Sequence, residues 1–198
     1  MAVLVRFDAD GRWGKTLLDA TEVSEALHSL GLSYGRWPRR DVGDGSLGAI
    51  LEAYGPELDS LKAQLAIRSV DRVIVKPGNP DWPALRQRFR AEHTHADAEI
   101  RYFLDGIGLF YIHGDNGYFA LLCEAGDWIV VPAGVRHFFD AGEQPDFDAL
   151  RLFSIPQGWE AEFTGAQVPG LPTFDEFRGR LNEVLAGEDR FGDSICAR

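Results

Sequence analysis

The sequence predicts a mainly β protein with peripheral helices, an α+β arrangement built around a sandwich or barrel of short strands. From about residue 93 to residue 163, short apolar segments alternate with Gly- and Asp-containing turns, which is typical of antiparallel strands. Helical periodicity is confined to the segments before and after this block. The 198 residues fit one domain and suffice to bury a core. We expect a single domain over 1–198, with a barrel core at about 70–165, a strand and helix extension at 1–69, and a C-terminal helix and tail at 170–198.

The first third of the chain contains strand and helix signals in alternation. Residues 2–7 form an apolar run that ends in a turn, which predicts a first strand. Asp19 and Glu22 have the spacing of a capping box, and helical periodicity continues from there to Gly31. A further strand is expected over 32–37, before a loop rich in Gly and Asp.

Three more elements lead to the strand-rich block. A helical stripe begins at Leu47 and is interrupted at 55–56, a Gly-Pro pair, because proline cannot continue a helix interior. A β-branched strand covers 70–75, and a short helix runs from Asp81 to about Arg90.

Beyond residue 93 the predicted strands follow one another closely. The sequence GDNG at 114–117 is a hairpin signal, and the Asp-Gly pair at 105–106 predicts the end of a strand. Thr173 with Glu176 predicts the cap of a C-terminal helix. The predicted strands cover residues 100–104, 109–113, 118–123, 128–131, 135–139 and 147–153.

Composition and charge exclude several classes of function. The formal net charge is −11, so nucleic-acid binding, which needs clustered Lys and Arg, is not expected. No window reaches the roughly 18 apolar residues of a membrane helix, and the N-terminus lacks a secretion signal, so we expect a cytoplasmic protein without a membrane partner. The two cysteines do not make a disulfide framework; we expect Cys123 in the core, whereas Cys196 lies in the tail.

The most informative segment is His93-Thr94-His95-Ala96-Asp97-Ala98-Glu99-Ile100-Arg101. His93, His95 and Glu99 have one parity, so they would share a face of an extended strand, together with Arg101. Two imidazoles and a carboxylate form the ligand set of non-haem Fe(II) sites and also suit Ni(II) and Mn(II).

A fourth ligand is available at His137, which follows a Pro-Ala-Gly turn. The alternative interpretation is a polar strand face exposed to water. Against it, the chain has only 5 histidines, and two of them fall within three residues of each other at 93–95. We expect His28 at the surface or boundary of a helix, and His113 in the core or beside the ligands rather than as a ligand.

Two motifs in this block match the signatures of the cupin superfamily. The first is H-x-H-x3-E followed by six residues and a glycine, and the second is G-x5-P-x-G-x2-H. The resemblance implies a small cupin β-barrel of the jelly-roll type with a metal inside. Gln87 stands where a glycine is usual, and Ala141 stands where an asparagine is usual. The motif residues are His93, His95, Glu99 and Gly106, and Gly126, Pro132, Gly134 and His137.

Within that superfamily, residues 89–165 resemble the acireductone dioxygenase family of methionine salvage. The resemblance implies that one Fe(II) or Ni(II) per chain binds the four ligands, and that an enediol substrate chelates it as a dianion and reacts with O2. The segments that carry it are 89–95, 99–103, 108–110, 126–127, 131–133, 137–140, 158–159 and 163–165.

The resemblance also implies the substrate and the products. The substrate would be the acireductone 1,2-dihydroxy-5-(methylthio)pent-1-en-3-one. Its cleavage would give formate and 4-methylthio-2-oxobutanoate with iron, or formate, carbon monoxide and 3-(methylthio)propanoate with nickel. The sequence does not distinguish these metals, because both use the same ligands. We expect a monomer whose partners are the small-molecule substrate and O2.

Other site residues are expected from the same resemblance. Arg101 keeps its positive charge and would stabilise the dianion; the alternative is a structural ion pair. Phe89, Phe139 and Trp159 match aromatic positions around the family's substrate, although each could equally be simple core. Glu92 would aid metal loading or support the ligands from outside the first coordination sphere; the alternative is an exposed charge.

One departure from the family pattern lies beside a ligand. Ala98 stands where the bacterial pattern has a second acid, which is thought to relay changes at the metal, so such a relay is not expected here. Two other classes of function stay open on the sequence. A different cupin dioxygenase or a metal-dependent sugar isomerase would keep the ligands but lack the set Phe89, Arg101 and Trp159. A non-catalytic cupin sensor or binding module would often lose ligands.

Overall fold

The computed structural model describes residues 2–155, 157–158 and 160–187. Within these ranges the chain forms eleven strands and five helices. The strands are β1 (Val3–Phe7), β2 (Trp13–Leu17), β3 (Ser33–Arg36), β4 (Ser69–Val75), β5 (His93–Thr94), β6 (Glu99–Gly114), β7 (Gly117–Glu124), β8 (Asp127–Val131), β9 (His137–Asp140), β10 (Phe147–Phe153) and β11 (Glu162–Phe163). The helices are α1 (Ala20–His28), α2 (Leu47–Ala53), α3 (Gly55–Leu65), α4 (Trp82–Phe89) and α5 (Phe174–Leu185).

Strand β6 organises the fold because it belongs to two sheets. Its second half pairs with β7 and β9, and its first half pairs with β8 and β10, all antiparallel. The first sheet has the order β11-β5-β9-β6-β7-β1-β2. In the second sheet, β10 joins β6 to β4, and β8 joins β6 to β3. This confirms the predicted α+β class, a jelly-roll type of β-barrel with peripheral helices.

Three apolar clusters hold the layers together. The cluster between the sheets contains the buried rings of Phe103, Phe110 and Phe139. A second cluster joins α5, through the buried Phe177, to the outer face of the first sheet. A third joins α2 and α3 to the second sheet, around Ile50. Burying one such side chain contributes roughly 1.5–3 kcal/mol to the free energy of folding. The apolar faces of the helices therefore hold them against the barrel.

The predicted strand end at residues 105–106 is wrong. Strand β6 continues through Asp105 and Gly106, and Gly106 has φ of +74°, in the left-handed region. A Cβ added at Gly106 would lie 2.0 Å from the backbone oxygen of Asp146 on the neighbouring chain segment. Only glycine fits this close approach, so the Asp-Gly pair marks a bend between the two sheets rather than a reversal.

The predicted starts of α1 and α5 are confirmed, but α1 ends at His28 rather than near Gly31, and the Glu22 side chain bonds Lys15 instead of completing a capping box. The Asp19 side chain accepts hydrogen bonds from backbone N–H groups in the first turn of α1. Thr173 and Glu176 form a reciprocal capping box at the start of α5. Pro56 stands in the first turn of α3, where its missing N–H has no intrahelical partner to lose. Strands β2 and β11 were not predicted, because one is largely polar and the other has two residues.

Two further sequence expectations concern single residues. Cys123 is fully buried in the interior, as predicted, and Cys196 lies outside the described residues. His28 is exposed at the end of α1. Among the residues that the structure describes, no helix has the length and apolar character needed to cross a membrane.

Candidate metal centre

The parity argument assumed that the histidine-rich motif forms one continuous strand, and the structure shows that it does not. His93 lies in β5 and Glu99 begins β6, while residues 95–98 between them form an irregular bend. The bend carries the chain from one sheet to the other. His137, the first residue of β9, pairs directly with His93. The candidate ligands therefore converge from two sheets, rather than from one face of a strand.

A backbone carbonyl fixes the ring of each of the three histidines. The carbonyl oxygen accepts a hydrogen bond, so Nδ1 carries the proton of the neutral ring and Nε2 is left as a free ligand atom. The carbonyls of Ala91, Glu160 and Val135 lie 2.7, 2.9 and 2.8 Å from Nδ1 of His93, His95 and His137, respectively.

Glu99 lies among these rings and is buried. Its Oε2 lies 3.2 Å from Nε2 of His95 and 3.0 Å from Nε2 of His137. Its Oε1 lies 2.5 Å from Nη2 of Arg101, an ion-pair contact that lacks hydrogen-bond alignment. Among the described residues, neither Glu99 Oε1 nor Arg101 Nε has a hydrogen-bond partner. Buried polar atoms are costly to leave unpaired, so both atoms indicate bound groups at this position.

The protonation states also suit a metal. Burial and the nearby His137 lower the pKa of His93 to about 4, so this ring is neutral at pH 7. Burial alone would lower the pKa of His95, but the hydrogen bond to Glu99 raises it. Burial would raise the pKa of Glu99, but Arg101 and the two histidines hold it well below its usual range. The site thus offers a carboxylate and imidazoles, and a bound cation would replace any proton shared between them.

The four side chains fit one divalent transition ion. One ligand atom from each of His93, His95, Glu99 and His137 lies within 4.8 Å of the others, and all four residues are buried. An ion bound at about 2.1 Å from each atom would separate its ligands by roughly 3–4 Å, so the observed spread suits a single ion. Three imidazoles and one carboxylate suit Fe(II), Ni(II) or Mn(II).

The candidate metal centre opens into a cavity of about 210 Å³. Phe89 and Phe139 form part of its wall, with ring centres 6.1 Å apart. Trp159, the third aromatic residue expected there, lies outside the described residues. The size and the aromatic lining suit a small organic molecule. The other lining residues, apart from the four candidate ligands, are Leu85, Arg88, Arg101, Arg151, Phe153, Ala161 and Phe163.

Arg101 is buried at the wall of this cavity. Its Cζ lies 4.9 Å from the ring centre of Phe139 and 5.3 Å from that of Phe110, so two aromatic rings fix the guanidinium. Burial lowers the pKa of Arg101, against the opposing charge of Glu99, yet a guanidinium remains charged in proteins. The ion pair considered from the sequence is therefore present, and the same side chain lines the cavity.

Glu92 is a buried residue with defined partners, and not an exposed charge. Its Oε2 accepts a hydrogen bond from Nδ1 of His113 at 2.7 Å, and its Oε1 accepts one from the Thr164 hydroxyl at 2.9 Å. The Thr164 N–H also donates to the Glu92 carbonyl, at 3.0 Å. These bonds tie β6 and the segment after β11 to the start of β5, next to His93.

Two cationic lining residues were missed from the sequence. Arg151 lies directly opposite Arg101 in the strand pairing, and Asp71 lies opposite Arg151. Two hydrogen bonds of 2.8 and 2.7 Å join Arg151 to Asp71. Asp71, Arg151 and Arg101 lie on three neighbouring strands, so their proximity follows only from the strand register and cannot be read from the sequence. Arg88 had a local signal, because it directly precedes Phe89 in a predicted helix.

Together, the fold and the site define a metal-binding protein of the cupin class, with a cavity for a small molecule beside the metal centre. A family model described as the ARD/ARD' family matches residues 54–161. An acireductone dioxygenase from a Synechococcus strain is 46% identical over 159 residues, which cover 77% of this chain and 88% of the relative. Acireductone dioxygenase 1 from Nocardia farcinica is 41% identical over 81% of this chain and 89% of its own length. The chain therefore belongs to the ARD/ARD' family.

A solved structure agrees with this assignment. The acireductone dioxygenase from Bacillus anthracis superposes with a TM-score of 0.72 at 26% identity. The match covers 82% of this chain and 98% of the Bacillus chain, and that structure holds a cadmium ion in its active centre.

Proposed function

We propose that this protein is a metal-dependent acireductone dioxygenase, which uses O2 to cleave 1,2-dihydroxy-5-(methylthio)pent-1-en-3-one in methionine salvage. The observation that carries the proposal is the four-residue cluster opening into an aromatic cavity beside Arg101. Membership of the ARD/ARD' family supports the same reaction. We retain the sequence predictions that the protein is a monomer and that its four ligands hold one ion per chain.

The residues of the site have separate tasks in this proposal. His93, His95, Glu99 and His137 would hold Fe(II) or Ni(II). When bound, the ion would supply positive charge for a dianionic substrate. The carbonyl bonds at Nδ1 keep the rings oriented, so the ligand atoms need little rearrangement.

The cavity wall would hold the substrate in place. Arg101, which lines the cavity, would donate a charge-assisted hydrogen bond to an enediolate oxygen. Phe89 and Phe139 would hold the apolar methylthio tail and exclude water from the reacting carbons. Trp159 remains a prediction for the same wall. Glu92 would keep β5 in register through His113 and Thr164.

An oxygen-uptake assay tests the reaction. The purified protein is mixed anaerobically with synthetic acireductone, O2 is then added, and substrate loss, O2 uptake and formate are measured. We expect equal molar consumption of O2 and substrate. A variant with both His93→Ala and Glu99→Ala is the control and should lose turnover with its metal. Substrate binding without O2 uptake by the loaded wild-type protein would refute the proposal and favour a binding module.

A second assay tests how the metal sets the products. Ala98 is half-buried and packs against the apolar cluster around Ile50, so it offers no charge to relay a change at Glu99. We propose that the ion's own chemistry decides the products. Stripped protein is reloaded separately with Fe(II) and Ni(II), and carbon monoxide is assayed. Carbon monoxide from the nickel form alone supports the idea, whereas the same mixture from both loaded forms contradicts it.

A further inference from the structure

The two arginines of α4, Arg86 and Arg88, and its C-cap residue, Arg90, face two different directions. Arg86 Nε lies 2.8 Å from Asp140 Oδ1, and Arg90 Nε, one turn further on, lies 3.6 Å from Asp140 Oδ2. Arg88 lies on the opposite face, because two residues of an α-helix turn through roughly 200°. With Leu85, three residues earlier, and Phe89, it belongs to the side of α4 that lines the cavity.

Among the described residues that line the cavity, Arg88 is the cation whose side chain has no acidic partner. Arg101 is paired with Glu99, and Arg151 is paired through two hydrogen bonds with Asp71. The Arg88 side chain is exposed and makes no ion pair or hydrogen bond with any described residue. Its companions on the same helix face are apolar. Its guanidinium is therefore free to contact a ligand that enters the cavity.

The charge of the whole chain makes this local cation useful. The formal net charge of −11 repels anions at long range. An enediol conjugated to a ketone is a vinylogous acid, so it approaches the protein as an anion at neutral pH. A cation at the opening of a low-dielectric cavity offsets the repulsion and raises the local concentration of such a substrate.

We propose that Arg88 is a specificity-determining residue that captures reductone anions at the mouth of the cavity. This inference rests on the proposed function for the identity of the natural substrate. Arg88 acts on binding and not on the reaction with O2, because Arg101 is the cation that touches the carboxylate ligand. Its loss should therefore raise KM and leave kcat nearly unchanged.

Steady-state kinetics of three variants test the proposal. In the metal-loaded enzyme, Arg88→Gln should raise KM about three- to tenfold. This range lies between the small loss expected for a solvent-exposed charge pair and the larger loss expected for a buried charge-assisted hydrogen bond. Arg88→Lys keeps the charge and should restore most of the affinity. Arg90→Gln removes one charge from the other face of the same helix and should behave like the wild type. Added salt should lower kcat/KM of the wild type more than that of Arg88→Gln.

A binding measurement gives a readout that does not depend on turnover. Ascorbate is a reductone monoanion, and its dissociation constant can be measured anaerobically by calorimetry on the same metal-loaded proteins. We expect weaker ascorbate binding by Arg88→Gln, with a fold-change similar to that in KM. Equal affinities of wild type and Arg88→Gln for both anions would overturn the role of Arg88, and so would a wild type that binds neither. Arg88-dependent ascorbate binding in a wild type that does not turn over acireductone would refute the proposed function alone.

Discussion

At the residue scale, Arg101 is the side chain with the clearest predicted effect on activity. Arg101→Ala should retain metal but lower kcat/KM by about 10- to 100-fold, because one charge-assisted hydrogen bond contributes about 1.5–3 kcal/mol. Metal content by elemental analysis, together with kinetics, checks this. Arg101→Lys should recover part of the loss, since it keeps the charge but not the fork of donors. Near-normal kcat/KM in a fully loaded Arg101→Ala would make the residue structural.

The types of the residues predicted more of the site than their assumed places in the strands did. Two histidines and a carboxylate within seven residues at 93–99 indicate a metal site wherever the chain runs, so the wrong assumption of one strand did no harm. The lining residue Arg151 faces the cavity only because β10 pairs with β6 in one register. Glu92 was ambiguous because its burial depends on His113 and Thr164, which are 21 and 72 positions away in the chain.

At the element scale, Asp140 joins three elements. It lies at the end of β9, accepts hydrogen bonds of 2.8 and 3.1 Å from Arg86 of α4, and accepts one of 3.0 Å from the Phe174 N–H of α5. Asp140→Asn should lower the free energy of unfolding by about 2–3 kcal/mol at pH 7, because it removes the buried counter-charge of Arg86, whose other partner, Asp175 at 3.6 Å, is exposed. Urea denaturation measures this. Asp59→Asn, at an exposed pair with Lys62, should change stability by less than about 1 kcal/mol.

The same aspartate should make stability depend on pH. Burial alone would raise the pKa of Asp140, but the hydrogen bonds and charge of Arg86 hold it below its usual value. A group with a lowered folded pKa stabilises the protein above its unfolded pKa, about 3.9, and this contribution is lost as pH falls through the folded value. The difference between wild type and Asp140→Asn should therefore be constant near neutrality and shrink in acid. A difference that grows below pH 4 would contradict this assignment.

Gly106 carries a second prediction at the element scale. Gly106→Ala should destabilise the protein by at least about 2 kcal/mol, because φ is +74° and the new Cβ would meet Asp146 at 2.0 Å. Gly179→Ala is the matched control, since that glycine lies in α5 with open space around it and should be neutral or slightly stabilising. Thermal unfolding of both variants decides, and an unchanged melting temperature for Gly106→Ala would contradict the structure.

The sequence correctly predicted those element boundaries that depend on one interaction between nearby residues. The caps at Asp19 and Thr173 satisfy backbone groups a few residues away, so the sequence suffices. The Asp-Gly pair at 105–106 was misread, because a turn and a bend between sheets use the same residues. What distinguishes them is the pairing with β10: Asp148 and Ala149 are consecutive there but lie opposite Asp105 and Phe103, so β6 bulges at Leu104, next to the bend.

At the scale of the whole molecule, the metal should contribute to stability. Its candidate ligands lie in or beside three strands, β5, β6 and β9, so a bound ion connects parts that fold together. At an ion concentration 1,000 times the Kd, binding adds about 4 kcal/mol, which raises Tm by roughly 8–16 °C in a protein of this size. Calorimetry with and without a chelator measures the shift. Glu99→Gln should show a much smaller one, and an equal shift in that variant would contradict the site.

The brevity of β5 has a consequence for how a bound ion would leave. Two of the four candidate ligands, His93 and His95, belong to this two-residue strand and the bend after it, whereas Glu99 starts the 16-residue β6. Short, sparsely bonded segments open locally at a small fraction of the free energy needed to unfold the whole domain. We therefore expect the ion to exchange with solution through transient detachment of β5, while β6 stays hydrogen-bonded to its neighbouring strands. In amide hydrogen exchange, metal should slow the Thr94 amide strongly and leave Tyr111, in the second half of β6 between β7 and β9, almost unaffected.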